Sequence, residues 1–130
     1  MSFKTKILFA VLAIVSFDGL ASFISRITQF EYTRLMWVSF LIYVLVGYWG
    51  AYRRGFVYGM ALGAVAGLTD STLGWFVSRM IGPFLQTPAP SLGPVLVAIV
   101  IIIVTGSAFV FGSLGAGLCK LLGQTRTADA

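Results

Sequence analysis

Four long apolar stretches, each bounded by charge or by proline, dominate this chain: Ile7 to about Ile27, Leu35 to Tyr52, Gly55 to about Ser78 and Val95 to about Leu122. At ~20 apolar residues per spanning helix, all four are long enough to cross a bilayer. Lys4 and Lys6 precede the first, and Arg53 and Arg54 close the second. All four prolines (Pro83, Pro88, Pro90 and Pro94) fall between the last two, which marks a loop over 80–94 and leaves the helices without a proline kink. Composition agrees: of 130 residues, 58% are hydrophobic and 10% charged, and the mean hydropathy is +0.97. A soluble domain carries roughly a quarter charged residues and needs them to cover a surface larger than its core. The expected fold is an all-α integral membrane protein, a four-transmembrane-helix bundle forming a single domain over residues 1–130.

Gly19-Leu20-Ala21 imitates a small-residue cleavage site, but hydrophobic residues continue past it through Phe23, Ile24 and Ile27, so a span is expected here instead of a signal peptide. Basic residues set the orientation. With the N-terminus inside, Lys4, Lys6, Arg53, Arg54, Lys120 and Arg126 are cytoplasmic, and Arg26, Arg34 and Arg79 lie outside. That asymmetry favours N-in and C-in. Tyr48, Trp49, Tyr52, Phe56 and Tyr58 then form the inner aromatic belt, and Tyr32, Trp37, Trp75 and Phe76 the outer one. The expected location is a plasma membrane, taken as bacterial. The formal net charge of +5 reads as topology and affinity for anionic lipid headgroups. Nucleic acid is not an expected partner, because the basic residues are split between two sides of a membrane.

Missing residues narrow the chemistry. With no histidine, the commonest haem and zinc ligand and the usual general base are absent. Cys119 is the only cysteine, so an internal disulfide, a CxxC pair and a thiolate cluster are all excluded. Beside Lys120 it is open to palmitoylation, but plain packing is the expectation. No cofactor and no metal centre are expected.

Glycines mark where helices meet. Gly55, Gly59, Gly63 and Gly67 recur every four residues and share one helical face with Asp70, Gly74 and Ser78. A glycine zipper of this kind lets another backbone approach and gain van der Waals contact, the main attraction available between helices in lipid. Ala108, Gly112 and Ala116 offer a matching row in the fourth stretch, and Gly47 and Ala51 in the second. These faces are expected to pack helices and to join copies of the chain into a homo-oligomer, most simply a dimer.

Only four residues are acidic, and two of them lie within spans. Asp18 falls about eleven residues, ~17 Å, into the first stretch, and Asp70 about fifteen residues, ~22 Å, into the third. An ionised carboxylate at such depth costs at least ~2.5–3.5 kcal/mol, so each must face protein or water, find a partner, or hold a proton. Ser22, Ser25, Arg26 and Gln29 share the face of Asp18, and Thr69, Ser71 and Thr72 flank Asp70. The nearest arginines on the same helices, Arg26 and Arg79, lie too far along a straight helix to pair with the aspartates.

A short internal repeat connects these features. Asp18 is followed by Phe23-Ile24-Ser25-Arg26, and Asp70 by Phe76-Val77-Ser78-Arg79, with one extra residue in the second copy. Gly47-Tyr48-Trp49-Gly50-Ala51 likewise parallels Gly112-Ser113-Leu114-Gly115-Ala116. Two repeated helical hairpins, 1–54 and 55–130, would place the aspartates at similar depth on parallel helices, facing one another. Two such carboxylates repel unless a shared proton or a cation lies between them. The expectation is a small ion- or proton-coupled transporter or channel, with Asp18, Asp70, Ser22, Thr69, Ser71 and Thr72 binding H⁺ or Na⁺. The competing expectation is a membrane scaffold or accessory subunit, in which the aspartates only bond between helices.

Phe17-Asp18 and Gly67-Leu68-Thr69-Asp70 faintly resemble the YD and GxGD motifs of intramembrane aspartyl proteases. The chain departs from that pattern at Phe17, at Thr69 and at Pro88-Ala89-Pro90, which stands where the family has its PAL element. No enzyme is therefore expected. Small multidrug exporters and fluoride channels are similar in size and helix number, but the membrane glutamate of the former and the polar motifs of the latter are absent.

Overall fold

The computed structural model describes residues 1–86 and 93–124; Pro88, Ala89, Pro90, Arg126 and Asp129 lie outside the described residues. Helix α1 (Phe3–Thr28) is followed by a 3-10 turn (Tyr32–Leu35) and α2 (Met36–Ala51). The third span comprises α3 (Phe56–Thr69), one turn of π-helix (Asp70–Gly74) and α4 (Trp75–Ile81), and the fourth is α5 (Pro94–Leu121). All four spans are long and apolar enough to cross a membrane. Large side chains such as Leu20, Ile27, Trp37, Val57, Met80 and Ile102 are exposed along them. An exposed apolar surface on this scale is stable only against lipid, so the chain is a multi-pass membrane protein.

The helix ends depart from expectation for local reasons. Helix α1 starts at Phe3 because Ser2 caps it, accepting a bond from the Thr5 amide at 3.1 Å. Lys6 is therefore inside the first span. It is 5% exposed, with its ammonium on the Trp49 and Tyr52 carbonyls at the end of α2 and over the Trp49 ring. A cation is favourable at that negative helix end. At the opposite end of α1, Arg26 donates to the Ile81 carbonyl at 2.7 Å, which ends α4 in the same way. Met80 and Ile81 continue the third span instead of opening the loop. Pro94 begins α5, a position where its missing N–H costs nothing. Because Lys6 closes two backbone carbonyls, Lys6→Met is expected to cost about 1–3 kcal/mol, read as a lower unfolding temperature in micelles.

Three spans meet through their small residues. Gly47 lies against the Gly112 backbone, Gly50 against Gly59, and Gly63 against Gly112, where an added Cβ would meet the opposing Cα at 2.6, 2.9 and 2.8 Å respectively. Gly67 lies as close to Thr105 and Ala108. The glycine faces are thus consumed inside one chain, between α2, α3 and α5, and do not form the free seam expected to join two copies. Gly55 is not part of this packing. It stands at the start of α3 with φ 108° and open space around it, so its use is the tight turn after Arg53. Cys119 is fully buried with Ala51 and Ala116, which makes it a packing residue.

Helix α1 lies to one side. Its backbone runs along the third span, from α3 through the π turn to α4, and stays farther from α2, which it meets through side chains such as Lys6. The two hairpins therefore pack unequally: α3 and α5 are in close contact, whereas α1 and α2 stand apart.

Candidate aspartate site

The π turn and Gly74 bring the two carboxyl groups together. A π turn inserts one residue into the helical register and commonly marks a functional position. Here it begins at Asp70 and ends at Gly74. A side chain at 74 would run into the Asp18 carboxyl, with Cγ at 2.8 Å, and would stand 3.4 Å from Asp70 Oδ1. The space left by the missing side chain thus lies against both acids and brings their carboxyl groups to the same point of the helix. Asp18 lies about ten residues from the end of α1, and Asp70 about eleven from the end of α4, or ~15 Å from that face of the bundle.

Two tyrosines cover the pair. Tyr43 of α2 donates its hydroxyl to Asp70 Oδ2, and Tyr32 of the 3-10 turn donates to Asp18 Oδ1 at 3.4 Å. Tyr32 also reaches Ser78 at 3.2 Å, and Ser22 donates to Ser78 at 2.8 Å. Ser22 therefore belongs to the same network without touching a carboxyl. Ser25 fixes the adjoining loop, donating to the Phe30 carbonyl at 2.6 Å and accepting from the Phe84 amide at 3.2 Å.

One oxygen remains unpaired. Asp18 is 2% exposed, yet its Oδ2 has no hydrogen-bond partner. A buried acceptor in that state, beside a second carboxyl, needs a proton or a cation between the two groups. The arginines on the same spans are engaged elsewhere: Arg26 on the Ile81 carbonyl, and Arg79 over the Trp75 ring at 5.0 Å.

The expected shell of hydroxyls around Asp70 is turned away. Thr69 donates to the Val65 carbonyl at 2.9 Å, and Ser71 and Thr72 both donate to the Leu68 carbonyl. Backbone acceptors in the preceding turn are closer than the carboxyl, and hydroxyls within a helix prefer them. What adjoins the pair instead is a cavity of about 330 Å³. Asp18, Asp70, Tyr32 and Tyr43 line its polar end, and Phe17, Phe40, Ile103 and Val104 its walls. It reaches the surface at Thr33 and Met36, which are exposed. Among the described residues, no group of three or more His, Cys, Asp or Glu side chains is placed to hold a metal ion.

Sequence reasoning missed both tyrosines at the pair. Tyr32 reads as part of an aromatic belt. Tyr43 lies within an apolar run, where its ring passes for bulk and only its hydroxyl carries the chemistry. Comparison with protein-family models, with curated proteins and with solved structures finds no match to this chain.

Proposed function

We propose that this membrane protein is a small proton-coupled transporter in which Asp18 and Asp70 hold the coupling proton. The supporting observation is the unpartnered, buried Oδ2 of Asp18 against the Asp70 carboxyl at the end of a cavity. Such a pair holds a proton without help and releases it when water or another cation enters. Packing alone needs neither a second acid nor a cavity. Na⁺ is the weaker candidate, because the hydroxyls of Thr69, Ser71 and Thr72, which would complete its oxygen shell, donate to the backbone.

The proposed orientation is N-in and C-in. Lys4, Lys6, Arg53, Arg54 and Lys120 then mark the cytoplasmic end, and the cavity faces outward. In this conformation the glycine contacts between α2, α3 and α5 close the cytoplasmic half, as alternating access requires of an outward-open state. An aspartyl-dyad enzyme is not proposed, because one turn of a substrate helix occupies on the order of 400 Å³, more than the cavity holds.

The test is flux in proteoliposomes carrying an internal pH dye. Wild-type protein is expected to move protons down an imposed pH or voltage gradient. Asp18→Asn and Asp70→Asn are each expected to slow this at least ~10-fold, about 1.4 kcal/mol of barrier, with unfolding temperatures close to wild type. Wild-type flux equal to that of empty liposomes under proton and Na⁺ gradients would overturn the proposal in favour of a scaffold.

A further inference from the structure

The cavity above the aspartates has a composition of its own. One end carries two carboxyls and two phenols, and the walls are mainly apolar or aromatic (Phe17, Phe40, Ile103 and Val104), with hydroxyls from Thr33, Ser39 and Ser107. None of the described residues lining it is basic, so an anion would meet two acids with nothing to offset them. At about 330 Å³ it lies at the lower end of the ~300–1,000 Å³ typical of small-molecule sites. A bare metal ion would draw only on the oxygens at one end and would leave the aromatic walls unused. An ammonium group carries a single charge, accommodates carboxylate partners, and is attracted to the faces of aromatic rings.

We infer that this cavity binds a compact amphipathic organic cation, an ammonium group on an apolar or aromatic body, with the charge on Asp18 and Asp70 and the body against Phe17, Phe40 and Ile103. The inference rests on the proposed role of the pair as a proton site, and it names the species exchanged there. Exchange of one shared proton for one ammonium leaves the charge of the site unchanged, which avoids adding net charge at membrane depth. The titratable groups facing the pair are Tyr32 from the 3-10 turn and Tyr43 from α2. From α4 come the Ser78 hydroxyl and, beyond Tyr32, Arg79, whose guanidinium lies over the Trp75 ring; α5 contributes Ile103, Val104 and Ser107. Competition between proton and ammonium is therefore governed by the two carboxyls.

The experiment is titration calorimetry of the full chain in lipid nanodiscs, with benzyltrimethylammonium as the probe and benzyl alcohol as its uncharged counterpart. Saturable binding of the cation alone is expected, with about one proton released per cation bound, read from buffers of different ionisation enthalpy. Affinity should fall toward ~10-fold per pH unit on the acid side, as one-for-one competition requires. Asp18→Asn and Asp70→Asn should each weaken binding at least tenfold. Ser107→Leu narrows the cavity and leaves the carboxyls in place, so it should weaken cation binding at least tenfold with an unfolding temperature close to wild type. Equal binding of both probes, or cation binding unchanged in Ser107→Leu, would overturn the site. Binding without proton release would overturn the exchange. A protein that moves protons but binds no cation refutes this inference alone, whereas loss of both refutes the proton-site reading beneath it.

Discussion

Gly112→Val is expected to prevent the bundle from closing, whereas Gly106→Val, six residues away on the same helix, is expected to leave stability nearly unchanged. Position 112 is pressed between two backbones. A Cβ there would meet Gly63 Cα at 2.8 Å, while the Gly112 backbone is the surface against which Gly47 packs. Gly63 has no side chain that can rotate away, so α5 must separate from α3 along the seam. Ordinary overpacking costs about 1–3 kcal/mol through local shifts. Parting rigid helices forfeits the van der Waals contact that holds them in lipid, so the loss should exceed that range. Nothing lies within 4 Å of the position a Cβ would take at Gly106, so valine there only faces lipid. Unfolding midpoints in micelles, with the folded monomer fraction from size-exclusion chromatography, separate the two variants. Similar stability for both would mean that the glycine contacts do not hold the bundle together.

The seam was legible in the sequence because glycine every four residues has few uses in an apolar helix. The same arithmetic could not say whether the partner helix belonged to the same chain, and all three contacts prove to be internal. Asp18 and Asp70 were legible from cost: a carboxylate at mid-span has to be explained, and the parallel between their flanking residues suggested that they meet. What the sequence hid was the geometry that joins them. The extra residue in the second copy of the Asp to Ser-Arg pattern, read only as imperfect repetition, coincides with the π turn at Asp70–Gly74. An inserted residue absorbed in this way restores the register, so Ser25 and Ser78 stand in comparable places beyond their aspartates. Hydrogen-bond register leaves no mark in composition. Lys6 was misplaced for a related reason: a lysine near the start of an apolar run reads as a boundary, although here its destination is the end of another helix. Thr69, Ser71 and Thr72 were assigned to an ion by proximity along the chain, which says nothing of the backbone carbonyls to which their hydroxyls donate.

Gly74 separates function from folding more sharply than the aspartates do. Gly74→Ala places a methyl group where the Asp18 carboxyl now lies, with Asp70 Oδ1 3.4 Å from it. In contrast to Gly112, the opposing atoms are the end of a side chain, so the helices can stay in place while Asp18 turns away. Gly74→Ala is thus expected to retain most of the unfolding temperature, helped by the better helix propensity of alanine, and to lose at least ~10-fold in proton flux, a barrier increase of about 1.4 kcal/mol. Because both changes act on one carboxyl contact, their effects should not add. Gly74→Ala in an Asp18→Asn background should slow flux no further than Asp18→Asn alone. Flux at the wild-type level in Gly74→Ala would mean that proton movement does not need the two acids in contact. A fully additive double variant would mean that Gly74 acts through the helix and not through Asp18. The stated pattern, an intact bundle with a silenced pair and no additivity, is what a glycine kept to make room for a second acid predicts.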